Sequence, residues 1–495
     1  MSDWLKNIVD KIKDLNISVD SYRKDSIIQS LPTVAYVNKA KKMIESQKYD
    51  EAELILKEAL DISTQDSRVY KYLGKIYEFN YKFSEAIEYY QNSAKLNPQD
   101  KEIWLRLGMS QLNAKRYEEA LESFEKANKV IPMNTDVYTG WGMVLMKMNK
   151  YALARDKFIV ATQISKYNYT AILLSAIMEI RLCDYDSAEA KLSFLAKVAP
   201  NESSTYEYAN LKLLKSDYRA AEQYAKQSIG YNKLMLPAYF VLGEVYSIQN
   251  DYENTEEIFR LAIERGLEND TLHFEWGKAY VRFFDFEKAK EHFLIALDMD
   301  SEYLDAKIGL ALVNAHNSDF SLVDELKEKN GKNVYIQEAI ALKRFAENKY
   351  EDAIDMFKKA LRTDSKQTYN YLNIARVYKV MGNKDKTREY FEKFIHEHSY
   401  FIPALLEYSK WLVEIEDYPD AQRKLRKADR LRSNDVEIMN LLFYSSYRLV
   451  KESVCEYNIK ETISLAEKIK SLGNFGYETE KIELENLLVN IQGSK

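Results

Sequence analysis

The sequence predicts an all-α solenoid, a fold built from tandem pairs of helices. Three observations predict it: glycine and proline are scarce, an aromatic-x-x-Ala pattern recurs about every 34 residues, and each period contains two helical patterns. Glycine occurs 14 times and proline 7 times in 495 residues, well below the ordinary share of either residue. Sheets, tight turns and flexible linkers rely on these residues, so we expect helices joined by short connections.

The recurring pattern marks the start of the second helix of each pair. Its aromatic residue stands at Tyr49, Phe83, Tyr117, Tyr151, Tyr185, Tyr218, Tyr252, Phe286, Tyr350 and Tyr418. Phe320 is in phase as well, although only about 30 residues separate it from Tyr350, and Lys384 replaces the aromatic residue in one copy. Such a recurrence indicates stacked helix pairs in which each pair contacts its neighbours.

Two kinds of residue recur at fixed places in each period. Small residues let paired helices approach closely, and we predict this role for Gly74, Gly108, Gly142, Gly243, Gly277, Ala52, Ala86, Ala120, Ala154 and Ala188. Aromatic residues fill the space between neighbouring pairs, and we predict this role for Tyr90, Phe124, Phe158, Phe259, Phe293, Phe357 and Phe391. These places help to explain why the chain contains 38 tyrosines.

The third copy, IWLRLGMSQLNAKRYEEALESFEKANKVIP, resembles the consensus of the tetratricopeptide repeat. The matching residues are Trp104, Leu107, Gly108, Tyr117, Ala120, Phe124, Ala127 and Pro132. The resemblance extends roughly from Thr33 to Ser433, about twelve copies. It implies a right-handed superhelix with the first helices on its concave side, and a non-catalytic scaffold or adaptor that binds a segment of a partner protein in the groove.

The pattern divides the chain into five segments. We expect an N-terminal capping helix and lead-in at 1–32, repeats 1–8 at 33–301, and a shortened copy at 302–333 that is a candidate hinge. Repeats 10–12 follow at 334–435, and a degenerate repeat with a C-terminal capping helix at 436–495. An amphipathic helix from Trp4 to about Leu15 favours capping of the first repeat, with docking in the groove or on a second copy of the chain as alternatives.

The concave face is expected to carry an apolar stripe. In the copies whose register is clear, the stripe contains Leu105, Met109, Leu112, Met143, Met146, Phe240 and Ile248. Methionine suits an adaptable binding surface, because its side chain is unbranched and polarizable. The alternative is that these residues only pack against one another inside the superhelix.

The stretch YTAILLSAIMEIRL, from Tyr169 to Leu182, is apolar around most of its circumference, as a helix buried on several sides would be. The register set by Tyr185 gives it a concave stripe of Leu173, Ile177 and Ile180, and it buries Glu179. A shift of one residue would instead place Leu174 and Met178 inside and turn Glu179 outward. The sequence leaves both registers open.

A basic patch borders the apolar stripe. It consists of Lys41, Arg68, Lys71 and Lys75, at helical spacing on the same concave face. It could hold an acidic peptide or a chain terminus, or it could be a solvated face. A second basic segment, AQRKLRKADRLRS, lies on a second helix, where a solvated outer face is favoured over contact with nucleic acid.

No residue pattern indicates catalysis, a cofactor or a metal. The chain has no GxxxxGK[ST] loop, no dinucleotide-binding glycine fingerprint and no nucleophile elbow. None of the five histidines pairs with another at the i, i+4 spacing of a helical zinc site. Cys183 and Cys455 are expected to be buried thiols in a reducing compartment. Because only short ends flank the repeats, we expect no appended catalytic domain.

The remaining features concern partners and location. A net charge of −6 gives no support to nucleic-acid binding, and no segment reads as a membrane span or a signal peptide, so we expect a cytoplasmic protein. Protein or peptide partners are predicted. The alternatives are a regulatory protein that senses a peptide or small ligand in the groove, and a homo-oligomeric assembly factor.

Overall fold

The computed structural model describes residues 33–473 and 475–493. These residues form 27 helices and no strand, which confirms the predicted all-α repeat fold. The predicted helix from Trp4 to Leu15 lies outside the described residues. The chain divides into two compact units, Met1–Leu267 and Glu268–Lys495.

The first unit contains seven helix pairs in the described residues. The helices are α1 (Val34–Glu45), α2 (Tyr49–Ile62), α3 (Ser67–Phe79), α4 (Phe83–Leu96), α5 (Ile103–Asn113), α6 (Tyr117–Val130), α7 (Thr135–Lys147), α8 (Tyr151–Ile164), α9 (Tyr169–Arg181), α10 (Tyr185–Val198), α11 (Glu202–Leu214), α12 (Tyr218–Tyr231), α13 (Leu236–Ile248) and α14 (Tyr252–Glu264). Odd numbers are the first helices of the pairs and even numbers are the second helices.

The second unit continues the same alternation. Its helices are α15 (Asp270–Arg282), α16 (Phe286–Met299), α17 (Leu304–His316), α18 (Ser321–Asn330), α19 (Val334–Ala346), α20 (Tyr350–Thr363), α21 (Tyr369–Val380), α22 (Lys384–Glu397), α23 (Ile402–Glu414), α24 (Tyr418–Leu431), α25 (Val436–Glu452), α26 (Glu456–Leu472) and α27 (Glu478–Gly493). The second helix α18 has 10 residues, whereas α16 and α20 have 14 each.

The predicted glycine and aromatic places account for the packing of each pair. A Cβ atom on Gly108 would lie 3.1 Å from the ring of Phe124, and one on Gly142 would lie 2.6 Å from the ring of Phe158. All seven predicted aromatic residues are among the largest fully buried side chains, so this prediction is confirmed. In the pairs that carry these glycines, the ring fills the space that the absent side chain leaves open.

The turn between the two helices of a pair is tight and uses a left-handed residue. Cys183 occupies this place with a φ of 60°, as Asn149 does in the preceding pair with 58°. The expectation of buried thiols was wrong: Cys183 and Cys455 are both exposed. The reason is positional, because Cys183 lies in this surface turn and Cys455 precedes the first residue of α26.

Contacts between helices show which helices lie on the inner side of each unit. Successive first helices touch one another, as α5 and α7 do in the first unit, and α15 and α17 in the second. Contacts between successive second helices are far sparser. The first helices therefore line the inner side of each unit, and the second helices form its outer side.

The second unit is locally tighter around the short helix α18. There, α17 and α19 pack directly against each other. Phe284, in the turn before α16, reaches Tyr369 with a ring separation of 4.4 Å and Phe401 with one of 4.7 Å. The boundary between the two compact units lies at Leu267, not in the shortened copy, and the segment boundaries drawn from the repeats stay predictions.

Candidate partner-binding groove

The groove is the open face of the first helices in the first unit. Leu105, Met109 and Met143 are half-buried there and pack against the core cluster around Phe124. Met146 and Ile177 pack in the same way against the cluster around Phe158. Leu112 is only 6% exposed and thus belongs mainly to the core. Half-buried members of the predicted stripe therefore lie on α5, α7 and α9, and their role as a binding surface stays a prediction.

The structure resolves the register of α9. Glu179 is buried, and its carboxylate accepts a hydrogen bond from the ammonium of Lys191. Leu173, Ile177 and Ile180 are half-buried on the open face, as the register set by Tyr185 requires. The lysine was not foreseen, and it explains how a carboxylate is tolerated in the core.

The groove face continues through α11 to α13. Phe240 and Ile248 on α13 are half-buried. Between them and α9, the open face of α11 carries Tyr206, Glu207 and Asn210, which the sequence analysis did not single out. Burial raises the pKa of Glu207, although a hydrogen bond with Asn210 and the charge of Arg181 partly offset the effect.

The four cations of the predicted basic patch already have carboxylate partners. Lys71 Nζ lies 2.7 Å from Asp100 Oδ2, and Lys75 Nζ lies 2.9 Å from Glu102 Oε1. The predicted residues Lys41 and Arg68 are paired as well, with Glu45 at 3.9 Å and Asp66 at 2.8 Å respectively. An acidic ligand would have to compete with these carboxylates.

Arg106 extends the charged network toward the apolar stripe. Its guanidinium lies 2.6 Å from Glu102 and 3.1 Å from Glu78, and the hydroxyl of Tyr90 donates to Glu78. Burial by itself would raise the pKa of Glu102, but hydrogen bonds from Lys75 and Arg106 outweigh it and lower the pKa to about 2. Glu102 therefore remains ionised at neutral pH and holds both cations in place.

The outer basic segment on α24 is also largely paired. The ion pairs are Arg423–Asp420, Lys424–Glu392, Arg426–Glu461 and Arg432–Asp435. Pairing of this kind is typical of a solvated face. It leaves little unbalanced positive charge for phosphate groups.

Histidines meet across a helix pair in the second unit. The Nδ1 atoms of His273 and His292 lie 2.9 Å apart, and Nε2 of His273 lies 3.1 Å from Glu268. Spacings within one helix do not reveal this pair, because the two histidines lie on different helices. Within the described residues, no three or more His, Cys, Asp or Glu side chains converge in an arrangement that could hold a metal ion.

Three stretches of the chain match sequence profiles of known families. Residues 29–138 match the profile described as tetratricopeptide repeat protein 21 C-terminal ARM domain. Residues 236–265 and 369–399 each match a tetratricopeptide repeat profile, and they coincide with the pairs α13–α14 and α21–α22. The chain is a tetratricopeptide-repeat protein. Its repeats thus occur in both units, in the phase of the aromatic-x-x-Ala pattern.

Solved structures of similar fold include other tetratricopeptide-repeat proteins. The APC/C hetero-tetramer Cut9-Hcn1 matches with a TM-score of 0.55 and 11% identity, over 93% of this chain and 96% of that chain. A tetratricopeptide repeat protein from Parabacteroides merdae matches with a TM-score of 0.44 and 15% identity, over 50% of this chain and 98% of that chain. No curated protein matches the chain in sequence. At 11% identity, the likeness to the Cut9-Hcn1 structure concerns the fold alone.

None of the helices in the described ranges combines the length and the apolar character that a membrane-spanning segment requires.

Proposed function

We propose that this tetratricopeptide-repeat protein is a non-catalytic scaffold, and that its first unit binds a segment of a partner protein along the groove. One observation carries the proposal: the half-buried apolar stripe is continuous over α5, α7 and α9. An apolar surface that is partly exposed in the free protein gains stabilisation when a partner covers it. Methionines at its centre allow it to adapt to the shape of the segment.

The flanking charges support a binding role for the same face. The ion pairs around Glu102 border the stripe at one end, and Glu207 borders it at the other. An apolar centre with a polar rim is the usual anatomy of a protein interface. No chemical step is proposed for the groove, and a cytoplasmic location remains part of the proposal.

The test places charge on two half-buried residues of the stripe. Met109→Glu/Met143→Glu is expected to abolish capture of a partner from a native cell extract, because a carboxylate would have to be buried under the bound segment. Circular dichroism should show an unchanged helix content, since both positions are half-buried. The captured proteins would be compared by quantitative mass spectrometry.

The matched control adds the same charges elsewhere on the first unit. Met133→Glu/Leu153→Glu changes two residues that are 67% and 54% exposed, the second of them on the second helix α8. This control should retain every partner. If both double variants capture the same set of proteins as the unchanged chain, the groove is not the binding site.

A further inference from the structure

The residues on the groove face are apolar on α9 and polar on α11. On α9 it presents Leu173 and Ile177, and one period later the corresponding places on α11 carry Tyr206 and Asn210, with Glu207 directly after Tyr206. The opposite face of α11 is in the core, where Tyr208 is 6% exposed. Glu207 is therefore a half-buried carboxylate at the edge of an apolar surface.

Glu207 has no lysine or arginine in ion-pair contact within the described part of the chain. The neutral side chain of Asn210 and the charge of Arg181 favour its ionised form, but they offset only part of the effect of burial on its pKa. Burial raises the pKa of the Glu207 carboxyl group, which means that its charged form is short of stabilising partners in the free protein. A cation brought close to it would supply that partner.

At the opposite end of the groove, the positive charges are already neutralised by carboxylates of the same chain. Lys71 and Lys75 are each within 3 Å of a carboxylate, at 2.7 Å from Asp100 and 2.9 Å from Glu102. A bound acidic group would have to displace one of these pairs. The charge that a partner can best complement is thus the negative charge at α11, not the positive charge at α3.

We propose that the bound segment carries a lysine or arginine that pairs with Glu207, next to the apolar side chains that fill the stripe. The proposal rests on the proposed function and adds the sign of the partner's charge. An ion pair at the edge of an apolar contact contributes to specificity, because a neutral or acidic residue in the same place leaves the carboxylate unpaired or repelled.

The experiment selects ligands from a random-peptide library displayed on phage, with the full-length chain as the immobilised target. Three variants are compared with the unchanged chain: Glu207→Gln, Met109→Glu/Met143→Glu and the control Glu118→Gln, whose glutamate is exposed on the second helix α6. Enriched peptides are then synthesised, and their affinities are measured by calorimetry with the basic residue present or replaced by norleucine.

We expect the unchanged chain and Glu118→Gln to enrich peptides that combine large apolar residues with a lysine or arginine. Glu207→Gln should still enrich the apolar residues but lose the preference for a basic one. Replacing the basic residue should weaken binding to the unchanged chain about tenfold and leave binding to Glu207→Gln almost unchanged.

The alternative outcomes separate the two proposals. Apolar peptides with no basic preference, with an acidic preference, or with a basic preference that survives in Glu207→Gln would overturn the role of Glu207 and leave the groove intact. If no peptide is enriched by the unchanged chain, or if Met109→Glu/Met143→Glu enriches the same peptides, the proposed function itself fails.

Discussion

Replacing Phe124 with alanine is expected to destabilise the first unit by about 3–5 kcal/mol. The ring is 0% exposed, and it fills the space beside two glycines: a Cβ atom would come within 3.1 Å of it on Gly108 and within 2.6 Å on Gly140. Because neither glycine has a side chain to fill the gap, the cavity would stay open. Urea denaturation followed by circular dichroism measures the loss.

The effect should remain local, since each helix pair contacts mainly its neighbours. Hydrogen exchange measured by mass spectrometry should increase from α5 to α8 and remain unchanged in the second unit. Tyr167→Ala is the control, because that tyrosine is 78% exposed in the same unit. Uniformly faster exchange along the whole chain would contradict a solenoid stabilised by neighbouring contacts.

Replacing Phe284 with alanine is expected to destabilise the second unit by roughly 2–3 kcal/mol, less than the loss of a fully buried ring. The ring joins a turn to helices far along the chain, at 4.4 Å from Tyr369 and 5.7 Å from Phe394. It does so from a backbone with a φ of 60°, which is unfavourable for a bulky residue. Hydrogen exchange should increase in α21 and α22, about three repeats away from the substitution.

Tyr81→Ala is the matched control for this prediction. Tyr81 occupies the same turn position in the first unit, with a φ of 58°, but it is 82% exposed. Both variants place alanine in a left-handed turn, so the backbone contributes equally to the change in unfolding free energy of each variant. We expect Tyr81→Ala to change stability by less than about 0.5 kcal/mol. If the two variants behave alike, the ring contacts of Phe284 contribute nothing to the second unit.

Most of the fold follows from the period of the sequence. The phase of the pattern predicts the helix pairs, the positions of the packing glycines and aromatic residues, and the face assigned to the groove. These features are predictable because they depend on contacts within one or two repeats. Leu173 and Ile177 illustrate this. The sequence left their register open because it showed no partner for a buried Glu179. The partner is Lys191, which lies on the second helix of the same pair.

The residues that the sequence analysis missed are those that meet across helices. Asp100 and Glu102 pair with lysines almost one period earlier, so a search for carboxylates at that distance would have found them. His273 and His292 meet across one pair, outside any single-helix pattern. The contacts of Phe284 could not be predicted, because they depend on the local curvature around the short helix α18.

The most direct test of the groove is photo-crosslinking in the native cell. A benzoylphenylalanine residue is placed either at Met143 in the stripe or at Leu153, which is 54% exposed on the outer helix α8. We expect a crosslinked partner from position 143 that is absent from position 153. Crosslinking of the same partner from position 153, with none from position 143, would place the binding surface on the outer face and contradict the account.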